Sequence, residues 1–230
     1  MAQLSLTIES LRGEPQAVAA AIGNLVIAGW TARDAAAMEA HIKELEALGV
    51  ARPKRTPIFY RVAAALLTTD DRLQVIGGDS SGEVEFVLLS LPQGLFVGVG
   101  SDHTDRKAEA VGVTLSKQMC AKAIGPRVWP FAEVAPHWDR LHLRSWCADG
   151  GARRPYQDGP VTRMRDPREL MDLYLGKGRT LPVGWGMYCG TLPAHGPIGG
   201  AARFEVELSD PVLGRALSHA YAIECLPIEG

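Results

Sequence analysis

The chain has 230 residues, with 24 Lys and Arg against 26 Asp and Glu, a formal charge of −2, 47% hydrophobic residues and 22% charged ones. The near-balance of charge excludes a dedicated binder of nucleic acid or anionic membranes, which needs a positive field to gather phosphates. The composition excludes a disordered chain and predicts a packed core.

No apolar stretch approaches the roughly 20 residues needed to cross a bilayer, so no membrane span is expected. The N-terminal MAQLSLTIES has no Lys or Arg before its apolar residues and no following h-region. It does not read as a secretory signal, and a cytoplasmic protein is expected. Cys120, Cys147, Cys189 and Cys225 form no C-x-x-C pair and read as ordinary reduced residues. Without an internal repeat or low-complexity tract, one domain over residues 1–230 is the simplest organisation.

In chain order, Val26 to Trp30 reads as a strand. Thr31 opens a helix over residues 31–49, with Asp34 completing a weak capping box and Gly49 placed to end it. Met38, Ile42, Leu45 and Leu48 fall on one helical stripe. From about residue 72 the pattern turns to short β-type runs at 73–76, 84–89, 95–99, 141–146, 187–189, 204–208 and 220–225. Turn sequences such as Gly77-Gly78-Asp79, Pro92-Gln93-Gly94 and Asp149-Gly150-Gly151 separate them. Residues 167–175 read as a later helix. The fold class is mostly β (α+β), with largely antiparallel sheets rolled around a site and helices outside.

Glu83-Val84-Glu85 opens the apolar run 86–89. On a strand, residues two apart point to one face, so both carboxylates project into the same space. Two like charges that close repel unless a positive group lies between them, and a hard divalent cation that takes carboxylate oxygens is a natural neutraliser. On spacing alone such a pair is more often a solvated strand face. Glu205-Val206-Glu207 has the same spacing and reads as that exposed face. What differs is context. The run 95–100 ends in Ser101-Asp102-His103-Thr104-Asp105-Arg106, where Asp102 offers a third carboxylate and Arg106 or Lys107 a hold on an anionic group. The alternative for that cluster is a capped turn entering a helix.

At these residues the sequence resembles the fumarylacetoacetate hydrolase superfamily, in its catalytic C-terminal-type domain. The family's Glu-x-Glu and Asp-x-Thr/Ser-x-Arg fall on Glu83, Glu85, Asp102, Thr104 and Arg106, and its Lys before a Gly-Pro turn is similar to Lys117 ahead of Gly125-Pro126. Tyr156-Gln157-Asp158-Gly159 resembles the Gln-x-Gly segment. Leu181-Pro182-Val183-Gly184 through Gly190-Thr191 resembles the Leu-x-x-Gly and Gly-Thr-Pro segments, and His41 to Glu44 the His-x-x-Glu of a lid helix. The chain departs from the pattern at Met38-Glu39, where Asn-Tyr is usual, at Trp185 in place of Asp, at Leu192 in place of Pro, and in a short interval from Asp102 to Lys117.

The resemblance implies that Glu83, Glu85 and Asp102 hold Mg²⁺, Mn²⁺ or Ca²⁺, and that His41, oriented by Glu44, is the general base. Lys117 then stabilises negative charge, and Thr104, Arg106, Gln157 and Thr191 bind substrate. His41 and Glu44, three apart, do share a helical face. Read from the helix alone, they are a packed histidine and a surface glutamate. Lys122 competes with Lys117 for its role. His103 is expected to face away from Asp102, His195 reads as a loop histidine and Cys120 as structural. No G-x-S-x-G supports a serine hydrolase.

The implied activity is metal-dependent hydrolysis of a carbon–carbon bond in a small 2-oxo or 1,3-dicarbonyl carboxylic acid. The alternatives are a hydratase, decarboxylase or isomerase of 2-oxo acids, or a non-catalytic small-molecule-binding protein. A small-molecule carboxylate is the expected partner, with no nucleic acid or membrane, and the family implies a homodimer. The metal reading requires that three distant acids converge and that no basic group fills the gap between them.

Overall fold

The computed structural model describes residues 1–47 and 52–229; the side chains of Ala37, His41, Glu44, Leu45 and Ala47 also lie outside the description. Among the described residues, a large curved sheet runs in the order Gln16–Ile22, Ala2–Ile8, Arg127–Pro130, Gly94–Ser101, Val84–Leu91, Trp185–Thr191, Asn24–Gly29 and Ile58–Val62. The short strands Lys122–Ile124 and Leu67–Thr68 extend it beside Gly94–Ser101. A second sheet has the order Arg154–Pro160, His142–Ala148, Arg203–Asp210, Arg215–Leu226, Arg72–Ile76. The pairing is mostly antiparallel, and the architecture is the mostly β, α+β one that the sequence predicts.

The central hairpin explains why the apolar run after Glu83 is continuous. Leu91 pairs with Gly94, leaving Pro92-Gln93 as the turn. Every residue of Val84–Leu91 is buried, because both faces of the strand are covered. Val84, Phe86 and Leu88 pack with Trp129, Trp138 and the second sheet's Val206 and Leu208. Val87, Leu89 and Leu91 pack on the opposite face with Leu4, Leu6, Ile22 and Ile27. A fully buried side chain of this size contributes about 1.5–3 kcal/mol. The hairpin is therefore a rigid base for whatever its end carries.

An element missing from the sequence reading is the N-terminal hairpin of Ala2–Ile8 and Gln16–Ile22. Its signal was present, since Ala2, Leu4, Leu6 and Ile8 are buried while Gln3 and Ser5 are exposed. The first helix corrects another expectation. It spans Ala35–Ala47 and is opened by Asp34, whose carboxylate accepts from Ala36 N at 2.8 Å, whereas Thr31 is buried and donates to Cys189 O at 3.0 Å. The expected end at Gly49 lies outside the described residues. Pro167–Leu175 is helical as expected, with Asp166 accepting from Arg168 N at its start. Cys120, Cys147 and Cys189 are buried free thiols and Cys225 an exposed one. Among the described residues no helix is long and apolar enough to cross a membrane.

Candidate metal centre and cavity

The three acids meet where the central hairpin ends. Glu85 lies opposite Gly100 on one neighbouring strand and Thr191 on the other. Glu83 stands two residues earlier, just before the strand, tied to the end of Gly94–Ser101 by Glu83 N to Ser101 Oγ at 3.0 Å and Asp102 N to Glu83 O at 3.0 Å. One oxygen from each of Glu83, Glu85 and Asp102 lies within 4.8 Å of the others. Two glycines permit this. A Cβ on Gly100 would stand 2.6 Å from Ala123 O. Gly190, at φ +100, lies in the stretch where the Trp185–Thr191 pairing shifts register, and a Cβ there would stand 1.7 Å from Thr31 Oγ1. That irregularity aims the Gly190 N–H at Glu85 Oε2, 2.6 Å away.

Basic groups meet two of the acids. Lys117 Nζ, on the helix Val113–Met119, is 2.7 Å from Glu83 Oε2 and 2.6 Å from Asp102 Oδ2. It also donates to Thr104 Oγ1 at 3.2 Å. Arg106 Nη1 reaches Glu83 Oε1 at 3.0 Å and Glu109 at 2.9 Å, and Arg106 Nε donates to Ser81 Oγ. Lys122, fully buried, reaches Asp102 Oδ1 at 2.8 Å and donates to His103 O at 2.6 Å. The Asp102 contacts are ion pairs at angles outside those of hydrogen bonds. The gap between Glu83 and Asp102, expected to be clear of basic groups, is thus bridged by Lys117. Two buried carboxylates need a nearby counter-charge, and this one is covalently attached.

The electrostatics follow from these pairings. Burial works against ionised Glu83, but Lys117 and Arg106 outweigh it and hold its carboxyl far below the usual range. Burial, together with the charges of Asp102 and Glu83, pushes Glu85 well above it, and no described ion pair relieves Glu85. Burial alone would discharge Lys117, yet Asp102 and Glu83 keep it charged. His103 turns away as expected, between Ser80 Oγ at 2.9 Å and Tyr221 OH at 3.1 Å; burial first, then the charges of Lys122 and Arg106, lowers its pKa to about 3.

Above the acids opens a cavity of about 370 Å³, walled in part by Trp30, Tyr60, Tyr156 and Leu192. Arg106, Lys117, Gln157 and Thr191 line it, whereas Thr104 is buried beneath and donates to Asp102 O at 2.8 Å. Gln157 has no bonding capacity to spare: Oε1 accepts from Val84 N and Ser145 Oγ, and Nε2 donates to Thr191 Oγ1 and Leu192 O. Met38 and Ala40 bring the first helix to the cavity. The side chains of His41 and Glu44 on that helix lie outside the described residues. The sequence reading missed Glu109, although it stands one turn from Arg106. It also missed Trp30, which enters the site at φ 60, a left-handed conformation that a sequence does not signal in a tryptophan. His195 is an exposed loop residue.

This arrangement of sheets defines a protein with the fumarylacetoacetate hydrolase fold. A candidate fumarylacetoacetate isomerase/hydrolase from Oleispira antarctica superposes with a TM-score of 0.65 at 18% identity, covering 97% of this chain and 100% of that one. A 2-keto-3-deoxyarabinonate dehydratase matches with a TM-score of 0.66 at 17% identity, over 95% and 79% of the two chains. Yeast ynq8, a fumarylacetoacetate hydrolase family protein, matches with a TM-score of 0.56 at 15% identity, over 89% and 94%. Residues 28–221 match the family described as protein of unknown function DUF2848, and the chain belongs to that family. Among the curated proteins none matches this sequence.

The fold family implies a divalent cation. Three converging carboxylates, one of which no described residue meets in an ion pair, form the all-oxygen donor set that Mg²⁺, Mn²⁺ or Ca²⁺ takes. Of the two conditions that the sequence reading set, convergence is met and an open gap is not, because Lys117 lies between Glu83 and Asp102; the donor set fits an ion that displaces this ammonium from the oxygens it holds.

Proposed function

We propose that the protein is a divalent-metal-dependent hydrolase that cleaves a carbon–carbon bond in a small 2-oxo or 1,3-dicarbonyl carboxylic acid. The observation that carries this reading is the convergence of Glu83, Glu85 and Asp102 beneath a cavity that also presents Arg106 and Lys117. Glu83, Glu85 and Asp102 would hold the ion, which would supply Lewis-acid charge to the substrate when bound. Arg106 has its Nε and Nη1 engaged and uses Nη2 for the substrate carboxylate. Lys117, with Thr104 bracing its ammonium, meets the negative charge that builds on the departing fragment. His41, oriented by Glu44, takes the proton of the attacking water. Gln157 and Thr191 keep the wall beside Glu85 in place for substrate. The family resemblance supports a single catalytic domain, a lid role for the first helix, and a cytoplasmic homodimer.

Release of pyruvate from acetylpyruvate tests this. Turnover is expected with Mg²⁺ or Mn²⁺, with a loss of about 100-fold on chelation or in Glu85→Gln. Full activity in chelator removes the metal mechanism. A dehydratase reading has support in the neighbour that dehydrates 2-keto-3-deoxyarabinonate; turnover of that sugar acid in place of acetylpyruvate would favour it.

A further inference from the structure

Two of the three acids stand outside any strand. Glu85 is held by pairing on both sides, but Glu83 lies between Ser80–Ser81 and Val84–Leu91, and Asp102 between Gly94–Ser101 and Thr104–Asp105. Asp102 N donates to Glu83 O, so the two brace each other, and a chain of side chains behind the site anchors Glu83 to the second sheet. Glu83 N donates to Ser101 Oγ at 3.0 Å, and Tyr221 OH donates to the same oxygen at 2.7 Å. His103 joins Tyr221 OH through Nδ1 at 3.1 Å and Ser80 Oγ through Nε2 at 2.9 Å. Ser80, Ser101, His103 and Tyr221 are all fully buried.

The protons give this chain a direction. Tyr221 spends its only hydroxyl proton on Ser101, so it accepts from His103, and Nδ1 carries the hydrogen of the imidazole ring. Nε2 of the neutral ring then accepts from the Ser80 hydroxyl. Packing leaves the rings little freedom: Phe204 stacks on Tyr221 with 5.9 Å between centroids and meets His103 edge-on at 5.5 Å. A Cβ on Gly82 would stand 2.9 Å from both Tyr221 OH and Phe204 Cδ1, so glycine is what lets the hydroxyl come up beneath the residue before Glu83. Tyr221 pairs with Phe204 within the second sheet, and the chain carries that sheet's rigidity to an acid of the first. Groups that orient metal ligands from behind govern affinity without touching the ion.

We infer that Tyr221 and His103 are positioning residues of the metal centre, which hold both ends of the segment 80–83 through Ser80 and Ser101 and so keep Glu83 in the one orientation that meets the ion. The inference rests on the metal reading above. Neither residue touches the ion or the substrate; each acts through the backbone that carries Glu83.

Calorimetric titration of the full chain with Mn²⁺, at a temperature where melts show each variant folded, tests it. Tyr221→Phe keeps the ring and removes the hydroxyl, and is expected to weaken Mn²⁺ binding about tenfold. Ser101→Ala cuts the same chain one link nearer Glu83; it is expected to give a similar loss and serves if Tyr221→Phe fails to fold. The double variant is expected to bind within about twofold of either single one, because a chain already cut loses little more at a second cut. A purely structural role would lower the melting temperature and leave Mn²⁺ affinity where it was. If wild type binds Mn²⁺ and the variants bind it equally tightly, or if the two losses add in full, the positioning assignment falls and the metal reading stands. If wild type binds no Mn²⁺, both fall.

Discussion

The chain contains two Glu-x-Glu pairs of identical spacing, and they have opposite fates. Glu205 and Glu207 lie on the outer face of the second sheet, where Arg153 meets Glu205 at 2.8 Å and Arg144 meets Glu207 at 3.4 Å, all of them partly solvated. Glu83 and Glu85 end a strand buried on both faces, and there the neighbours are Asp102, Lys117 and the Gly190 N–H. The difference teaches that spacing aims two carboxylates in one direction, while the rest of the fold decides what waits there. At the surface both acids have arginines nearby and water to screen them. In the interior Glu83 and Asp102 share Lys117, while no described residue forms an ion pair with Glu85.

The largest expected effect comes from removing the shared cation. Lys117→Met leaves Glu83 and Asp102 without their bridging ammonium, and a buried pair broken in this way costs about 3–5 kcal/mol. In chelator the variant should melt well below wild type, and Mn²⁺ should recover most of the loss, because the ion replaces the missing charge. Thermal melts with and without Mn²⁺ check this, and a variant that Mn²⁺ leaves unchanged would contradict the metal site.

A smaller effect sharpens the contrast between Asp102, which faces the site, and His103 behind it. His103 has a folded pKa of about 3 against an ordinary value of 6.5. Between these values the unfolded chain binds a proton that the folded one does not, so stability falls as pH drops from 6.5 towards 3. The slope is at most about 1.4 kcal/mol per pH unit from this group. Urea titrations across that range should show a shallower dependence for His103→Gln.

The smallest effect is expected on the surface pair. Glu205→Gln combined with Glu207→Gln should change stability by no more than about 1 kcal/mol and leave acetylpyruvate turnover at the wild-type level. A large loss of turnover would mean that the two pairs are not the opposites described above.

Much of the site could be read before any coordinates. Glu83, Glu85 and Asp102 were singled out by their resemblance to the family's Glu-x-Glu and Asp-x-Thr/Ser-x-Arg, since strand periodicity alone gives Glu205 and Glu207 the same standing. The ambiguity between Lys117 and Lys122 could not be resolved that way, because both reach Asp102, from different elements and at different oxygens. Gln157 carried a motif, but its saturation by Val84, Ser145, Thr191 and Leu192 depends on three other segments. The start of the first helix was misplaced because Thr31 and Asp34 are both capping residues, and only the pull of Cys189 O on the Thr31 hydroxyl decides between them.

Taken alone, the sequence determined the β-rich class, the helix Pro167–Leu175, and which carboxylates lie together on one side of a strand. These depend on periods of a few residues along one backbone. Tertiary structure decided that Lys117 bridges Glu83 and Asp102 and that Gly190 bends its N–H onto Glu85. Charges interact through space and dielectric, so their balance is set by segments that meet only after the sheets have closed.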